Sequence, residues 1–104
     1  MAAQYLTLHY GWTLVQKNVH FREGELDLIM QTPEGLVFVE VKGRSSHHMG
    51  GIAESLTTQK IRRMKKAVLK WRLTNPHSGD FRLLFVGIQM GEDGQPEVEE
   101  FWIE

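Results

Sequence analysis

Three residues in this 104-residue chain are spaced for hydrolytic chemistry on phosphate: Asp27, Glu40 and Lys42. Glu25-Leu26-Asp27-Leu28-Ile29 alternates acidic and apolar residues, Thr32-Pro33-Glu34-Gly35 reads as a turn, and Leu36 to Lys42 is strongly β-prone. A hairpin is expected. Side chains alternate faces along a strand, so Glu25 and Asp27 should share one face while Leu26 and Leu28 take the other. On the second strand Leu36, Phe38, Glu40 and Lys42 should oppose Val37, Val39 and Val41. With the turn centred between Pro33 and Glu34, Asp27 falls opposite Glu40, and neighbouring strands lie ~4.8 Å apart. Two carboxylates and the Val41 carbonyl then form part of a shell for a hard divalent cation, magnesium or manganese, with water and phosphate oxygens completing it. Such an ion acidifies water and neutralises charge building on a phosphoryl group. Lys42, kept protonated by two neighbouring acids, suits an electrostatic role better than that of a base. Two other outcomes stay open. Pro33 cannot take the positive φ of a type I′ turn, which allows a longer loop and a slipped register. A structural salt bridge at a strand end would use the same residue types.

A second concentration of charge lies further on. Seven of the chain's 12 basic residues, Lys60, Arg62, Arg63, Lys65, Lys66, Lys70 and Arg72, occur with no acid between them. Cations on two faces of a helix contact phosphates and release counterions, which is the basis of salt-dependent nucleic-acid binding. The same pattern also suits a solvated face, an anionic membrane surface or an acidic protein partner. From Glu92 to Glu104 there are six acids and no Lys or Arg, so an acidic tail is expected. His47 and His48 lie in a Gly/Ser/His-rich loop from Gly43 to Gly51. Adjacent histidines point apart and lack the spacing of a helical zinc pair, so phosphate or substrate contact is the better reading. His9, His20 and His77 read as surface residues.

The elements that must position these groups follow from hydrophobic periodicity. Ala2, Leu6 and Tyr10, with Ala3 and Tyr5, predict a short helix ended by Gly11. A first strand runs from Trp12, with Trp12, Leu14 and Gln16 alternating, to an end near Asn18. Ile61, Met64, Ala67, Val68 and Trp71 make a helical stripe, capped by Thr57 or Thr58 and stopped at Asn75-Pro76. Phe81 to Met90 and Val98 to Ile103 are strands around a turn at Gly91 to Gly94. The order α-β-β-β-α-β-β predicts an α/β or α+β arrangement with a mixed sheet flanked by helices.

Composition sets the outer limits. A 41% hydrophobic, 24% charged chain of net charge -1 is expected to form one domain, residues 1–104. The absence of cysteine excludes disulfides, thiolate metal sites and a Cys nucleophile, and fits a reducing cytoplasm. No apolar run approaches ~20 residues and no secretory signal is visible, so a cytoplasmic protein without membrane association is expected. No GxSxG, Walker or dinucleotide fingerprint occurs.

Ala-Ala-Gln-Tyr-Leu with Gly11, Asn18, the segment GELDLI, the segment LVFVEVKGRSS and Lys60-Ile61-Arg62 together resemble the YraN-like family of small bacterial proteins. That family is placed in the PD-(D/E)XK, or restriction-endonuclease-like, superfamily. The resemblance covers most of the chain to about Leu73. It implies a magnesium-dependent nuclease core with Asp27, Glu40 and Lys42 as its site, Glu25 as ligand or supporting group, and Lys60 reaching phosphate. The family's Gly-Glu pair ahead of the Ala-Ala segment is not found before Ala2. A misassigned start, a shortened protein and a site with fewer carboxylates all account for that. Relatives often read Arg-Phe-Asp on the late strand, where this chain reads Asp80-Phe81-Arg82.

The expected function is hydrolysis of phosphodiester bonds in nucleic acid, DNA in particular. Asp27 and Glu40 hold the metal, and Lys60, Arg62, Arg63, Lys65 and Lys66 hold the backbone. One chain carries one site, so cutting both strands calls for a homodimer or two encounters. A non-catalytic nucleic-acid-binding module, or a protein-interaction domain using the basic helix, would carry the same charges, because fold does not fix function.

Overall fold

The computed structural model describes residues 2–44, 56–76 and 79–103. Helix α1 (Ala2–Tyr10) leads into strands β1 (Thr13–His20), β2 (Glu25–Thr32) and β3 (Gly35–Arg44). Helix α2 (Thr58–Thr74) then leads to β4 (Asp80–Met90) and β5 (Pro96–Ile103). The strands form one mixed sheet in the order β1-β2-β3-β4-β5. All neighbours pair antiparallel except β3 and β4, whose parallel register runs from Gly35↔Asp80 to Arg44↔Gln89. A parallel pair needs a long crossover, and α2 lies within it. Among the described residues, no helix is long and apolar enough to cross a membrane.

Each helix covers a separate apolar cluster. Met64, Ala67, Val68 and Trp71 of α2 pack on Leu26, Ile29, Leu36, Phe38 and Leu83. Ala2 and Leu6 of α1 pack with Trp12 on Leu28, Met30, Val37, Val39, Leu84 and Val86. The α2 stripe is the expected one, with Thr57 as N-cap, its hydroxyl accepting from the Lys60 N–H, and Asn75 as C-cap. Trp71 also hydrogen-bonds: its Nε1 donates to Gln16 Oε1 at 2.9 Å, tying α2 to β1. Gly11 ends α1 at φ 76°, its N–H donating to the Thr7 carbonyl.

Four expectations change. First, β1 continues past Asn18 to His20, with Asn18 itself at φ 55°, a backbone region that Asn tolerates better than most residues. Second, β1 does not alternate between buried and exposed. Only Val19 is buried, and Leu14 and Val15 are exposed, because this strand has a sheet neighbour on one side alone. Third, Leu26 and Leu28 enter opposite clusters, so the pleat is interrupted at Asp27. Fourth, the expected acidic tail is in part a longer strand, which starts at Pro96 rather than Val98 and so takes in Glu97 as well as Glu99 and Glu100. Tyr5 and Tyr10 donate to the two carboxylate oxygens of Glu100 on this strand at 3.0 and 2.6 Å. The Gly43 to Gly51 loop gives up its first residues to β3. His47, His48 and His77 lie outside the described residues.

Candidate functional site

The β2–β3 hairpin has the expected register. Its Cα partners run from Thr32↔Gly35 to Leu28↔Val39, which centres the turn between Pro33 and Glu34, and the pairing stops just short of Asp27 and Glu40. Gly35 makes the two-residue turn possible without a positive φ at Pro33. It takes φ 139° itself and sits so close to β4 that a Cβ there would lie 2.2 Å from the Asp80 carbonyl oxygen. The Thr32 hydroxyl closes the turn by donating to the Gly35 carbonyl and accepting from the Glu34 N–H.

At the far end of the hairpin a side chain takes over from the backbone. The Val41 N–H donates to Asp27 Oδ2 at 2.7 Å, a charge-assisted bond that fixes the carboxylate across the two strands. This bond accompanies the interrupted pleat: Asp27 turns its carboxylate to the neighbouring strand, and Leu26 and Leu28 diverge around it. Half-buried Asp27 borders a hollow of about 540 Å³ on the α1 side of the sheet, together with Ala2, Asn18 and Val41. Asn18 falls between the pairs Lys17↔Leu28 and Val19↔Leu26, across from Asp27. Residue chemistry alone gave no reason to place it at the site. The one signal was an Asn, a residue depleted in strands, inside a β-prone run.

Glu40 belongs to the other face, in line with Leu36 and Phe38. It borders a smaller cleft of about 180 Å³ with Glu25, Lys60, Arg63 and Met64. Gly24 builds this cleft. A Cβ there would lie 2.5 Å from the Arg63 carbonyl oxygen, so only glycine lets the β1–β2 turn lie against α2 and deliver Glu25 to Glu40. The Glu40 carboxyl is pushed up to about 7, chiefly by burial and also by the nearby charges of Asp27 and Glu25, with Lys60 and Lys42 opposing the shift. The two carboxylates therefore feel each other although they border different hollows. Glu25 is exposed and pairs with His20 Nδ1 at 3.2 Å when that histidine is protonated. Lys42 is exposed on the same strand, two residues beyond Glu40.

The basic helix divides its charges. Lys60 and Arg63 reach the Glu40 cleft, while Lys65 borders the opposite flank with Leu69, Phe81 and Leu83. Arg62 and Lys66 are exposed. Lys70 pairs with Glu23 at 3.4 Å and Arg72 lies over the Phe81 ring. Among the described residues no group of three or more His, Asp or Glu side chains is gathered to hold a metal. The donors that are present, two carboxylates and the Val41 carbonyl, are hard oxygens. Hard oxygens are the donor type that magnesium and manganese take, but Asp27 and Glu40 border different hollows rather than one shared site.

Relatives of this chain carry the same description as one another. A UPF0102 protein of Vibrio cholerae is 47% identical over 96 residues, covering 88% of this chain and 78% of its own length. One from Photobacterium profundum is 42% identical over 100 residues, covering 93% and 78%. One from a Mycobacterium species is 35% identical over 91 residues, covering 85% and 67%. The model for "Uncharacterised protein family UPF0102" matches residues 1–88, from α1 through most of β4. With both candidate carboxylates, Lys42 and all of α2 inside that match, the chain belongs to the UPF0102, or YraN-like, family.

Proposed function

We propose that this chain is a metal-dependent nuclease that hydrolyses phosphodiester bonds in DNA, acting in the cytoplasm as a single restriction-endonuclease-like domain. The observation that carries this reading is Glu40: a half-buried carboxylate, held near a second carboxylate and two lysines just past the apolar run Leu36 to Val39 of β3. Collecting like charges beside a desolvated acid opposes folding, and such perturbed acids concentrate at functional sites. Asp27 and Glu40, with the Val41 carbonyl, would hold magnesium or manganese. When bound, the ion supplies Lewis acidity and neutralises charge on the phosphoryl group. Asp27 is oriented by the Val41 N–H, so its second oxygen is left for a ligand. Lys42 orients water and stabilises the charge developing on phosphate, and Lys60 and Arg63 hold the scissile strand at the cleft. Arg62 and Lys66, exposed along α2, extend the phosphate track, with Lys65 on its flank.

Glu40→Ala should abolish metal-dependent nicking while leaving the melting transition in place. Full nicking by that variant, with contaminating nucleases excluded, would overturn the assignment. Calorimetric titration of magnesium and manganese, with a short DNA present, should show binding that Asp27→Ala removes. Binding should strengthen as pH rises through about 7, where Glu40 gives up its proton.

A second reading is supported by α2 itself. Arg62, Arg63 and Lys66 have no carboxylate partner among the described residues, as a non-catalytic nucleic-acid-binding module would require. In that case reversing their charges lowers DNA affinity and its salt dependence, while Glu40→Ala changes nothing.

A further inference from the structure

The opposite end of the sheet holds a larger cleft, of about 700 Å³, formed where β3 and β4 begin and α2 and β5 end. Along β3 it lies roughly 20 Å from Lys42, at ~3.3 Å per residue from Leu36. Four charged side chains line it: Arg72, Arg82, Glu34 and Asp80. The indoles of Trp12 and Trp102 also border it, meeting edge to face at an interplanar angle of 61°. Phe81 lies between Asp80 and Arg82 in the same lining.

Both guanidiniums are held by aromatic rings. The Arg72 Cζ lies 4.3 Å from the centre of Phe81, and the Arg82 Cζ lies 3.9 Å from the centre of Trp102. Stacking occupies the face of a guanidinium and leaves its in-plane N–H groups free to donate. Neither arginine is in an ion pair with a described residue, although two carboxylates line the same cleft. Trp12 is buried and braced by Tyr10, whose ring stacks on it at 4.5 Å, whereas Trp102 is 38% exposed.

We propose that this cleft binds a nucleoside monophosphate unit, either as a free nucleotide or as the terminal nucleotide of a strand. An arginine fork supplies the phosphate site, and the part-exposed indole of Trp102 borders the space for a base. Glu34 and Asp80 accept hydrogen bonds from an exocyclic amino group, as acids do from cytosine. The same two carboxylates repel a second phosphate nearby, which selects against polyphosphates and duplex backbone. The volume falls within the range of sites that enclose a small ligand. Nothing in this inference depends on cleavage or on Glu40.

Tryptophan fluorescence of the full chain, titrated with deoxycytidine monophosphate, should show saturable quenching. Deoxycytidine and inorganic phosphate should each bind at least about tenfold more weakly, a loss of about 1.4 kcal/mol or more. Arg72→Gln with Arg82→Gln should weaken binding by a similar factor or more while preserving the metal titration of the other end. A 5′-phosphorylated oligonucleotide that competes as well as the nucleotide identifies the ligand as a strand end. Competition by the nucleotide alone identifies it as free nucleotide, and either result supports the site. Absence of saturable quenching, or equal affinity for nucleoside and monophosphate on the unsubstituted protein, overturns the proposal, as does unchanged binding in the folded double variant.

Discussion

The clefts bordered by Glu40 and by Arg82 lie on different parts of the parallel β3–β4 pair, and they manage charge by different means. At the Glu40 end, burial and a like charge work against ionisation, and the cost is only partly offset by Lys60 and Lys42. At the Arg82 end, cations rest on aromatic rings that accept them without neutralising them. The first arrangement is suited to a cation that removes the repulsion, the second to an anion that occupies the free guanidinium edges. Opposite demands can thus be met by one sheet because its ends are separated by the apolar clusters under α1 and α2.

Changes in the backbone should break this comparison most severely. Gly35→Ala puts a Cβ against the Asp80 carbonyl at a φ that L-residues avoid, so a loss of about 3 kcal/mol is expected, measured by denaturant unfolding. The damage should extend to the arginine cleft, which Gly35 borders. Gly24→Ala should cost less, about 2 kcal/mol, because the β1–β2 turn can shift away from Arg63. It should weaken metal binding at the Glu40 end and leave nucleotide binding unchanged, which would show that the ends are independent.

Proton linkage sharpens the difference further. The folded-state value of about 7 for Glu40 exceeds the ordinary 4.5, so the folded protein holds a proton that the unfolded chain releases between those values. Stability therefore falls as pH rises from about 4.5 through about 7, and the penalty is complete above that range. Glu40→Gln should be more stable than the unsubstituted protein at pH ~8, by about 1 kcal/mol once solvent screening of this half-exposed group is allowed for, and not at pH ~4. Thermal melts at the two pH values measure the difference. The smallest effect should come from Tyr10→Phe, which removes one exposed hydrogen bond to Glu100, worth about 0.5 kcal/mol, and leaves both ends intact.

The hairpin register and the buried face of α2 were legible because both follow from local periodicity. Alternation from Leu36 to Val41 and the position of Pro33 set the register from Thr32↔Gly35 to Leu28↔Val39, and the spacing of Met64, Ala67, Val68 and Trp71 admits one buried side. The interruption at Asp27 was not legible. It depends on a carboxylate reaching the backbone of the next strand, and residue order carries no signal for that. Asn18 was hidden for the same reason. The arginine cleft is less local still: Arg82 meets Trp102 because β5 pairs with β4 in a register that sets Trp102 against Leu84. Composition marked the basic segment from Lys60 to Arg72, yet it gave no sign that the helix would direct Lys60 and Arg63 to one end of the sheet and Arg72 to the other.

The hydrogen bonds from Tyr5 and Tyr10 to Glu100 also impose an order of events during synthesis. Helix α1 is nine residues long, too short to persist in water by itself. Its apolar face can settle only after β4 has supplied Leu84 and Val86, and the tyrosines find their acceptor only when β5 has left the ribosome. Among the described elements, the one translated earliest is consequently the last to be latched.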